Sequence, residues 1–292
     1  MSIWFLRVLI ILVLVVPVAP RLQGQFTAIH SDEGVEIQDH GRKVLFYQSK
    51  PKSLAGKYER AGYIHPLYSL NGNVLTEDFP EDHPYHHGIF WTWHQLVLQN
   101  KSIADGWTSD SISWKVQRVT VKKANHAIIL SSSVVWNVRL TPDVQTPIIK
   151  EHTVITVSAG EKGRRNIDFD IHLSPLVDSL KIGGSDDVKG YGGFCLRLKL
   201  PDDIEFISGD SLVTAQETAV KAGTTMDFRG SFDGINLPKN GIMLITKPID
   251  NDLQNAWVLR KKGSMQNIVY PGRQPVLIPR SGLRMRYRIV VH

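Results

Sequence analysis

The sequence predicts an all-β fold, a large antiparallel β-sandwich formed by residues 25–292 as a single domain. The first observation behind this prediction is a succession of short runs rich in β-branched and aromatic residues, separated by turn-forming residues. The second is that strand and helix patterns do not alternate regularly, as a parallel α/β sheet requires. The 42% share of hydrophobic residues supplies a sizeable core, and all-β sandwiches of about 200–250 residues fold as one domain.

Pairs of strand-like runs follow one another along the chain. Val35–Ile37 and Val44–Phe46 flank the turn residues Asp39–Arg42, which is a hairpin pattern. Only Val213–Lys221 has the character of a helix. Hairpin after hairpin predicts antiparallel sheets. The further strand-like runs are Ser113–Val121, Ala127–Trp136, Ile148–Val157, Asn166–Leu173, Gly193–Leu200, Gly241–Thr246, Ala256–Leu259, Val276–Ile278 and Leu283–Val291.

The first 24 residues have the pattern of a secretory signal peptide. A short start containing Arg7 precedes an apolar run that ends at Val16, and a turn-rich stretch leads to Gly24. This run is shorter than the ~20 residues of a bilayer-spanning helix, which favours cleavage over an uncleaved anchor. We therefore expect a periplasmic or secreted protein with no membrane span once the signal is removed.

Charge and cysteine content exclude some classes of function. The formal net charge is +6, and lysine and arginine are scattered along the chain. No basic stripe interleaves with aromatic residues, so nucleic acid is not an expected partner. The only cysteine is Cys195, in an apolar run, so no internal disulfide can form and a buried thiol is expected.

The segment between Leu54 and Ser111 differs from the rest of the chain. It is rich in glycine, proline, histidine, aspartate and aromatic residues and lacks clean alternation, which is typical of functional loops. Imidazoles carry protons near neutral pH, bind sugar hydroxyls and ligate metals. Function is therefore expected around Asp82–Gly88. Five of the eleven histidines lie in this segment, at His65, His83, His86, His87 and His94.

The preferred interpretation of this histidine cluster is acid/base catalysis. One or two histidines in a pocket would exchange protons with a sugar, and aromatic rings would stack on it. The leading hypothesis is an exported carbohydrate-active enzyme, with hydrolysis, elimination and epimerisation all open. The candidate catalytic residues are His87, His172, His86 and His83, and the candidate substrate-binding residues are His65, Tyr85, Trp91, Trp93, Arg197 and Asn71.

Two alternatives stay open. The first is a non-catalytic glycan-binding module, in which the same side chains only hold the ligand. The second is a metal-dependent enzyme with His83, His86 and His87 as candidate ligands of a divalent metal. No cofactor is firmly implied, because the spacing matches no standard motif and adjacent residues in an extended chain point to opposite faces.

Two motifs together carry a family resemblance. Tyr63–Gly72 followed by Asp82–Trp91 resembles the PmoA-like family of exported bacterial proteins, over nearly all of the mature chain. That family is named after a methane monooxygenase subunit, an integral membrane protein with several spanning helices. No such helices are expected here, so methane oxidation is excluded.

A more distant resemblance is to galactose mutarotase-like proteins, which are β-supersandwiches that bind or convert sugars. His87-Gly88 is similar to their early histidine-glycine loop, His172–Leu176 to their mid-chain histidine, and Val276–Arg288 to their closing strands. The resemblance implies a supersandwich fold and a sugar ligand. The late catalytic glutamate of these proteins is missing, because the last glutamate is Glu217; Asp250 or Asp252 is a candidate substitute.

Overall fold

The fold is taken from a computed structural model that describes residues 26–141, 144–247, 256–263 and 265–292. The predicted signal peptide, residues 1–24, and the substitutes Asp250 and Asp252 lie outside the described residues. The first strands are β1 (Phe26–His30), β2 (Gly34–Asp39), β3 (Arg42–Gln48), β4 (Lys52–Leu54), β5 (Lys57–Arg60), β6 (Tyr63–Leu67), β7 (Ile89–Thr92), β8 (Gln95–Leu98) and β9 (Lys101–Ala104). The middle strands are β10 (Ile112–Ala124), β11 (Ala127–Thr141), β12 (Val144–Ala159), β13 (Arg165–Pro175), β14 (Lys181–Gly183), β15 (Gly193–Leu196), β16 (Glu205–Ser208) and β17 (Ser211–Leu212). The last strands are β18 (Val220–Lys221), β19 (Thr225–Gly230), β20 (Asn240–Lys247), β21 (Ala256–Val258), β22 (Gln266–Ile268), β23 (Val276–Leu277) and β24 (Leu283–Val291).

Two nine-stranded antiparallel sheets dominate the fold. The first has the order β1-β2-β3-β6-β7-β15-β22-β21-β18, and the second has the order β10-β11-β12-β13-β24-β20-β19-β16-β17. A four-stranded sheet, β23-β14-β8-β9, and the hairpin β4-β5 complete the described part. This arrangement confirms the predicted all-β antiparallel sandwich.

The long hairpins of the second sheet follow directly from their sequence. Buried residues occupy every second position along β11 and β13, so one face of each strand is apolar. The register places Ile155 beside Phe169 and Phe169 beside Tyr287, all on the same face. This face has to be covered, and the first sheet covers it.

Aromatic side chains join the two sheets. Trp91 of β7 lies parallel to Phe194 of β15, with ring centroids 6.1 Å apart. Phe194 in turn stacks on Tyr287 of β24, across the gap between the sheets, at 4.2 Å. Trp91 and Phe194 are fully buried, so the main core lies between the two sheets.

A carboxylate is buried within this core. Glu151 of β12 is only 2% exposed, and its Oε2 accepts hydrogen bonds from the indole N–H groups of Trp91 and Trp136, at 3.0 and 2.9 Å. Its Oε1 accepts one from the Thr153 hydroxyl at 2.7 Å. Burial raises the pKa of Glu151 despite these bonds. The buried guanidinium of Arg60 donates to the Trp91 carbonyl at 2.8 Å, so the core contains a connected polar cluster.

The predicted helix at Val213–Lys221 is wrong. Residues 213–219 are irregular, and Val220–Lys221 form β18, which pairs with β21. An isolated nine-residue helix is marginal in water, whereas the edge strand buries Val220. The described residues contain one short 3-10 turn, Glu161–Gly163, and it lies between the paired strands β12 and β13.

The irregular segment after Leu54 contains more regular structure than its composition indicates. β6 and β7, which flank the histidine loop, are adjacent strands within the first sheet. Across the described ranges, no helix combines the length and the apolar character that a membrane crossing needs.

Candidate functional site

The first sheet carries a second apolar cluster on the face turned away from the main core. Along β7, Ile89 and Trp91 contribute to the main core while Phe90 belongs to the other cluster. Phe90 packs there with Tyr63 and with Cys195, whose thiol is fully buried as expected. This outer face is the platform on which the histidine loop is built.

Close backbone contact fixes the histidine loop on the platform. The His86 amide N–H donates to the His83 carbonyl at 2.9 Å, which closes a turn. Gly88 follows, and a Cβ atom at this position would lie 2.0 Å from the Ile64 carbonyl oxygen. Only glycine permits this approach of β7 to β6, so the His-Gly pair is required by packing.

A cavity of about 290 Å³, the histidine pocket, opens beside the loop. Its volume is at the lower limit of ligand pockets, which begin at roughly 300 Å³. Aromatic faces, imidazoles and two cationic side chains converge on it, as in a site for a small polar ligand. The lining residues are His83, Tyr85, His86, Trp107, Lys189, Tyr191, Arg260, Gly263 and Met265.

His83 is oriented by a chain of charged groups. Its Nδ1 donates to Asp82 Oδ2 at 2.8 Å, and Asp82 is held by Arg197 through two hydrogen bonds, of 2.7 and 3.1 Å. Arg197 is buried and also donates to Glu77 at 2.8 Å. Partial burial opposes ionisation of Asp82, but the bonds from Arg197 and His83 outweigh it and lower the pKa to about 2. Asp82 is therefore an ionised carboxylate that leaves His83 Nε2 as the free nitrogen.

His86 lies parallel to His83, with ring centroids 4.7 Å apart, and its edge contacts Trp107. The side chain is 2% exposed, and its Nδ1 has no hydrogen-bond partner in the described part of the chain. Burial, reinforced by the charges of His83 and Arg197, lowers the pKa of His86 to about 2. His86 is thus a neutral imidazole in the pocket wall, and its unsatisfied Nδ1 is itself buried.

His87 lies behind the pocket, where its Nδ1 belongs to a hydrogen-bond network and its Nε2 is buried without a partner among the described residues. Its Nδ1 donates to Asp78 Oδ1 at 2.9 Å, while Asp78 Oδ2 accepts from Tyr63 and Lys52 at 3.0 and 2.7 Å. Burial lowers the pKa of His87 to about 4, although the bond to Asp78 opposes the change. At 1% exposure, His87 does not line the pocket.

The far wall consists of an aromatic stack. His94 is stacked on Trp107 at 5.2 Å, and its Nδ1 donates to Asp105 at 2.9 Å. Asp105 also accepts the backbone N–H of Trp107 at 2.7 Å. Tyr191 meets Trp107 edge-on at 4.8 Å, and burial raises the pKa of this phenol to about 12. Tyr191 is therefore a protonated donor near neutral pH.

The two tryptophans expected to stack on substrate belong to the main core instead. Trp91 and Trp93 are both fully buried, and neither lines the pocket. Their indole N–H groups are used inside the protein, by Glu151 at 3.0 Å and by the Tyr270 carbonyl at 2.7 Å. The alternation of β7 turns Trp91 inward, whereas Trp107, itself only 1% exposed, borders the pocket.

Other predicted site residues also lie elsewhere. His172 projects from the outer face of the second sheet, on the opposite side of the sandwich, so it cannot share a site with the histidine loop. It lines a cavity of about 710 Å³ with His152, but no phenylalanine, tyrosine or tryptophan lines that cavity. Asn71 donates to Asp233 at 2.7 Å and braces a turn. His65 bonds to Thr76 at 3.0 Å outside the pocket.

The sequence alone did not reveal five of the lining residues. Tyr191 and Lys189 follow β14, while Arg260, Gly263 and Met265 come from the loop between β21 and β22. Tyr191 stands within a glycine-rich stretch, which was a usable signal for close packing. Nothing in the local sequence of the other loop marks it, because long-range strand pairing brings it to the pocket.

The predicted metal site gains no support. Within the described ranges, no three histidine, cysteine, aspartate or glutamate side chains are grouped to hold a metal ion. His83 and His87 each direct Nδ1 to a separate aspartate, which fixes the two rings in different networks.

The buried imidazoles predict acid sensitivity of the fold. The pKa of His87 is about 4 when folded and about 6.5 when unfolded, so the unfolded chain binds the proton first as the pH falls. The free energy of unfolding should therefore decrease between pH 6.5 and pH 4, by about 3 kcal/mol from this residue alone. His86 adds to the same slope because its pKa is also lowered.

Urea unfolding at a series of pH values measures this effect. The variant His87→Asn keeps a donor toward Asp78 but cannot titrate, so its stability should fall less steeply with acid than that of the wild type. Equal slopes in the two proteins would contradict the assignment of a neutral, buried His87.

Together the fold and the site define an all-β two-sheet protein with an aromatic, histidine-lined pocket on one outer face. The model of a family of unknown function, DUF6807, matches residues 34–292, from β2 to the C-terminal residue, so the chain belongs to that family. No curated protein matches the chain. The family match carries neither the PmoA-like nor the mutarotase-like name.

Proposed function

We propose that the chain binds a glycan-derived sugar in the histidine pocket and acts on it by acid/base chemistry at His83. The observation that carries the proposal is the bond between His83 and ionised Asp82 at the wall of an aromatic cavity. Asp82 holds the Nδ1 proton, and Nε2 is left to accept or donate a proton. A positioned acid/base group of this kind contributes about 10²- to 10⁴-fold to a rate.

The roles of the histidines differ from those expected from the sequence. His87 was the leading candidate, but its burial and its bonds to Asp78 suit it to holding the loop. His86 is neutral and buried, and its ring, parallel to that of His83, suits it to forming the pocket wall rather than to carrying a proton. His83 is the half-exposed member of the group and is the proton carrier in this proposal.

The proposal includes export to the periplasm or the cell exterior, supported by the N-terminal pattern of the sequence. The PmoA-like resemblance and the more distant mutarotase-like resemblance also support the proposal, because the latter implies a β-sandwich that binds or converts a sugar. The mutarotase mechanism is not part of it, because the late glutamate is missing and His172 lies on the other side of the sandwich.

Loss of the Tyr85 ring is expected to weaken sugar binding about tenfold. Tyr85 lines the pocket and meets His86 edge-on at 5.0 Å, and an aromatic contact contributes about 1 kcal/mol beyond area burial. Ligand line-broadening in NMR against a panel of neutral and acidic oligosaccharides measures affinity for Tyr85→Ala and wild type. Tyr68→Ala, at a half-buried tyrosine outside the pocket, is the matched control.

A sugar that binds wild type and Tyr68→Ala equally, and Tyr85→Ala more weakly, would place the ligand in the pocket. Equal affinity in all three proteins would remove the pocket as the binding site. Binding without product would favour the non-catalytic glycan-binding module.

A further inference from the structure

Resting on the proposed function, we propose that the substrate is a uronate-containing glycan and that the histidine pocket cleaves it by β-elimination. The first observation concerns the charge of the lining. Lys189 and Arg260 both line the cavity, and among its described lining residues there is no aspartate or glutamate. Glycoside hydrolysis commonly uses two carboxyl groups that flank the scissile bond. The pocket instead offers cations, which match an acidic sugar.

Arg260 is held in place with part of its guanidinium free. Its backbone N–H and C=O are both bonded to the Gln266 side chain, at 2.9 Å each. Nη1 donates to the carbonyls of Gln216 and Leu259, and Nη2 donates to that of Glu217. Of the five N–H donors, one on Nε and one on Nη2 therefore have no partner within the described chain. Adjacent donors of this kind hold a carboxylate in bidentate geometry.

Lys189 supplies the second cation. Its backbone N–H and that of Gly190 are bound by Asp187 Oδ1, at 2.8 and 3.3 Å, which fixes the turn that presents the side chain. Across the described ranges, the Lys189 ammonium forms no ion pair. Lys189 and Arg260 therefore place two positive charges beside one small cavity, which favours an anionic ligand there.

The same lining contains the groups that β-elimination requires. The carboxylate of a uronate makes its C5 proton acidic, and negative charge builds on the carboxylate oxygens as that proton leaves. Arg260 and Lys189 stabilise this charge, which is the effect of donors placed where charge develops. His83 Nε2 accepts the C5 proton, because Asp82 occupies Nδ1.

The electron pair of the C5–H bond becomes the C4=C5 double bond, and the C4–O bond breaks. The leaving oxygen keeps the electron pair of the C4–O bond and takes a proton from the Tyr191 hydroxyl. His83 then returns its proton through solvent to the Tyr191 phenolate. No oxidant, reductant or added water enters the reaction, so the atoms and electrons balance.

A second groove extends the pocket and suits a polymeric substrate. It has a volume of about 710 Å³ and shares Lys189 and Arg260 with the histidine pocket. Glu217 lines this groove, together with Lys261, but does not line the histidine pocket. Hydrolysis through Glu217 is therefore the competing reaction, and the product distinguishes it from elimination.

The test incubates the full chain with polyuronates and with the same polymers after chemical reduction of their carboxyl groups to alcohols. Ultraviolet absorbance of the conjugated double bond and the NMR signal of its vinyl proton report elimination. Arg260→Gln and Lys189→Gln should each lower the rate at least about 100-fold. Lys262→Gln, at an exposed lysine of the same loop that lines neither cavity, should match the wild type.

The inference is supported if wild-type protein forms unsaturated product from a polyuronate but not from the reduced polymer, and if Arg260→Gln and Lys189→Gln lose this activity. Saturated product, equal cleavage of the reduced polymer, or uronate binding without product would each overturn the elimination proposal. None of these outcomes would contradict sugar binding in the pocket. If no sugar of either kind binds or reacts, the proposed function itself fails.

Discussion

Replacing His83 with asparagine should lower sugar turnover by about 10²- to 10⁴-fold, the usual contribution of a general acid/base group. The asparagine amide keeps an N–H donor near Asp82 but removes the nitrogen that would exchange a proton with substrate. Because His83 is half-exposed at a turn, the fold should be retained. Initial rates and circular dichroism of the same preparation measure the two effects.

The partner variant Asp82→Asn tests whether the two residues act as one unit. It removes the carboxylate that orients His83 and leaves the buried Arg197 paired with Glu77 alone. The double variant Asp82→Asn/His83→Asn should be about as slow as His83→Asn alone, because the effects of substitutions within one catalytic unit are not additive. His126→Asn, at an exposed histidine in the β10–β11 turn, is the control. Rates that are equal for His83→Asn and His126→Asn would refute the role of His83.

Replacing Glu151 with alanine should destabilise the fold by at least about 3 kcal/mol. The change leaves two buried indole N–H groups and the Thr153 hydroxyl without their acceptor, and it opens a cavity between the sheets. Each unsatisfied buried donor costs about 1–3 kcal/mol. Urea denaturation monitored by tryptophan fluorescence measures the loss.

Glu151→Gln is the matched variant. Its amide oxygen can still accept from Trp91 and Trp136, and the Thr153 hydroxyl can turn to accept from the amide nitrogen. This variant should therefore lose less stability than Glu151→Ala. Equal losses in the two variants would show that hydrogen bonding to the indoles is not what Glu151 contributes.

The fold was predictable because its largest elements are local patterns. Strict alternation along β11 and β13 and turn residues between strands specify hairpins without reference to the rest of the chain. The error at Val213–Lys221 arose because β18 depends on pairing with β21, about 35 residues further on.

The site was predictable only in part. The density of histidine in one irregular segment located the pocket, and His83, His86 and Tyr85 do line it. The sequence could not rank the histidines, because burial and the choice of aspartate partner decide which one is accessible. It also could not show that Arg260 belongs to the pocket, since the β21–β22 loop reaches it through sheet topology.

The most direct test of the central claim is one NMR time course that follows the sugar and the His83 ring signals together. Wild-type protein is mixed with each oligosaccharide of the panel, acidic members included. Formation of product with the same sugar that shifts the His83 signals of the wild type, and loss of product with His83→Asn, is the predicted result. Product formed at an undiminished rate by His83→Asn would contradict the claim that the histidine pocket performs the chemistry.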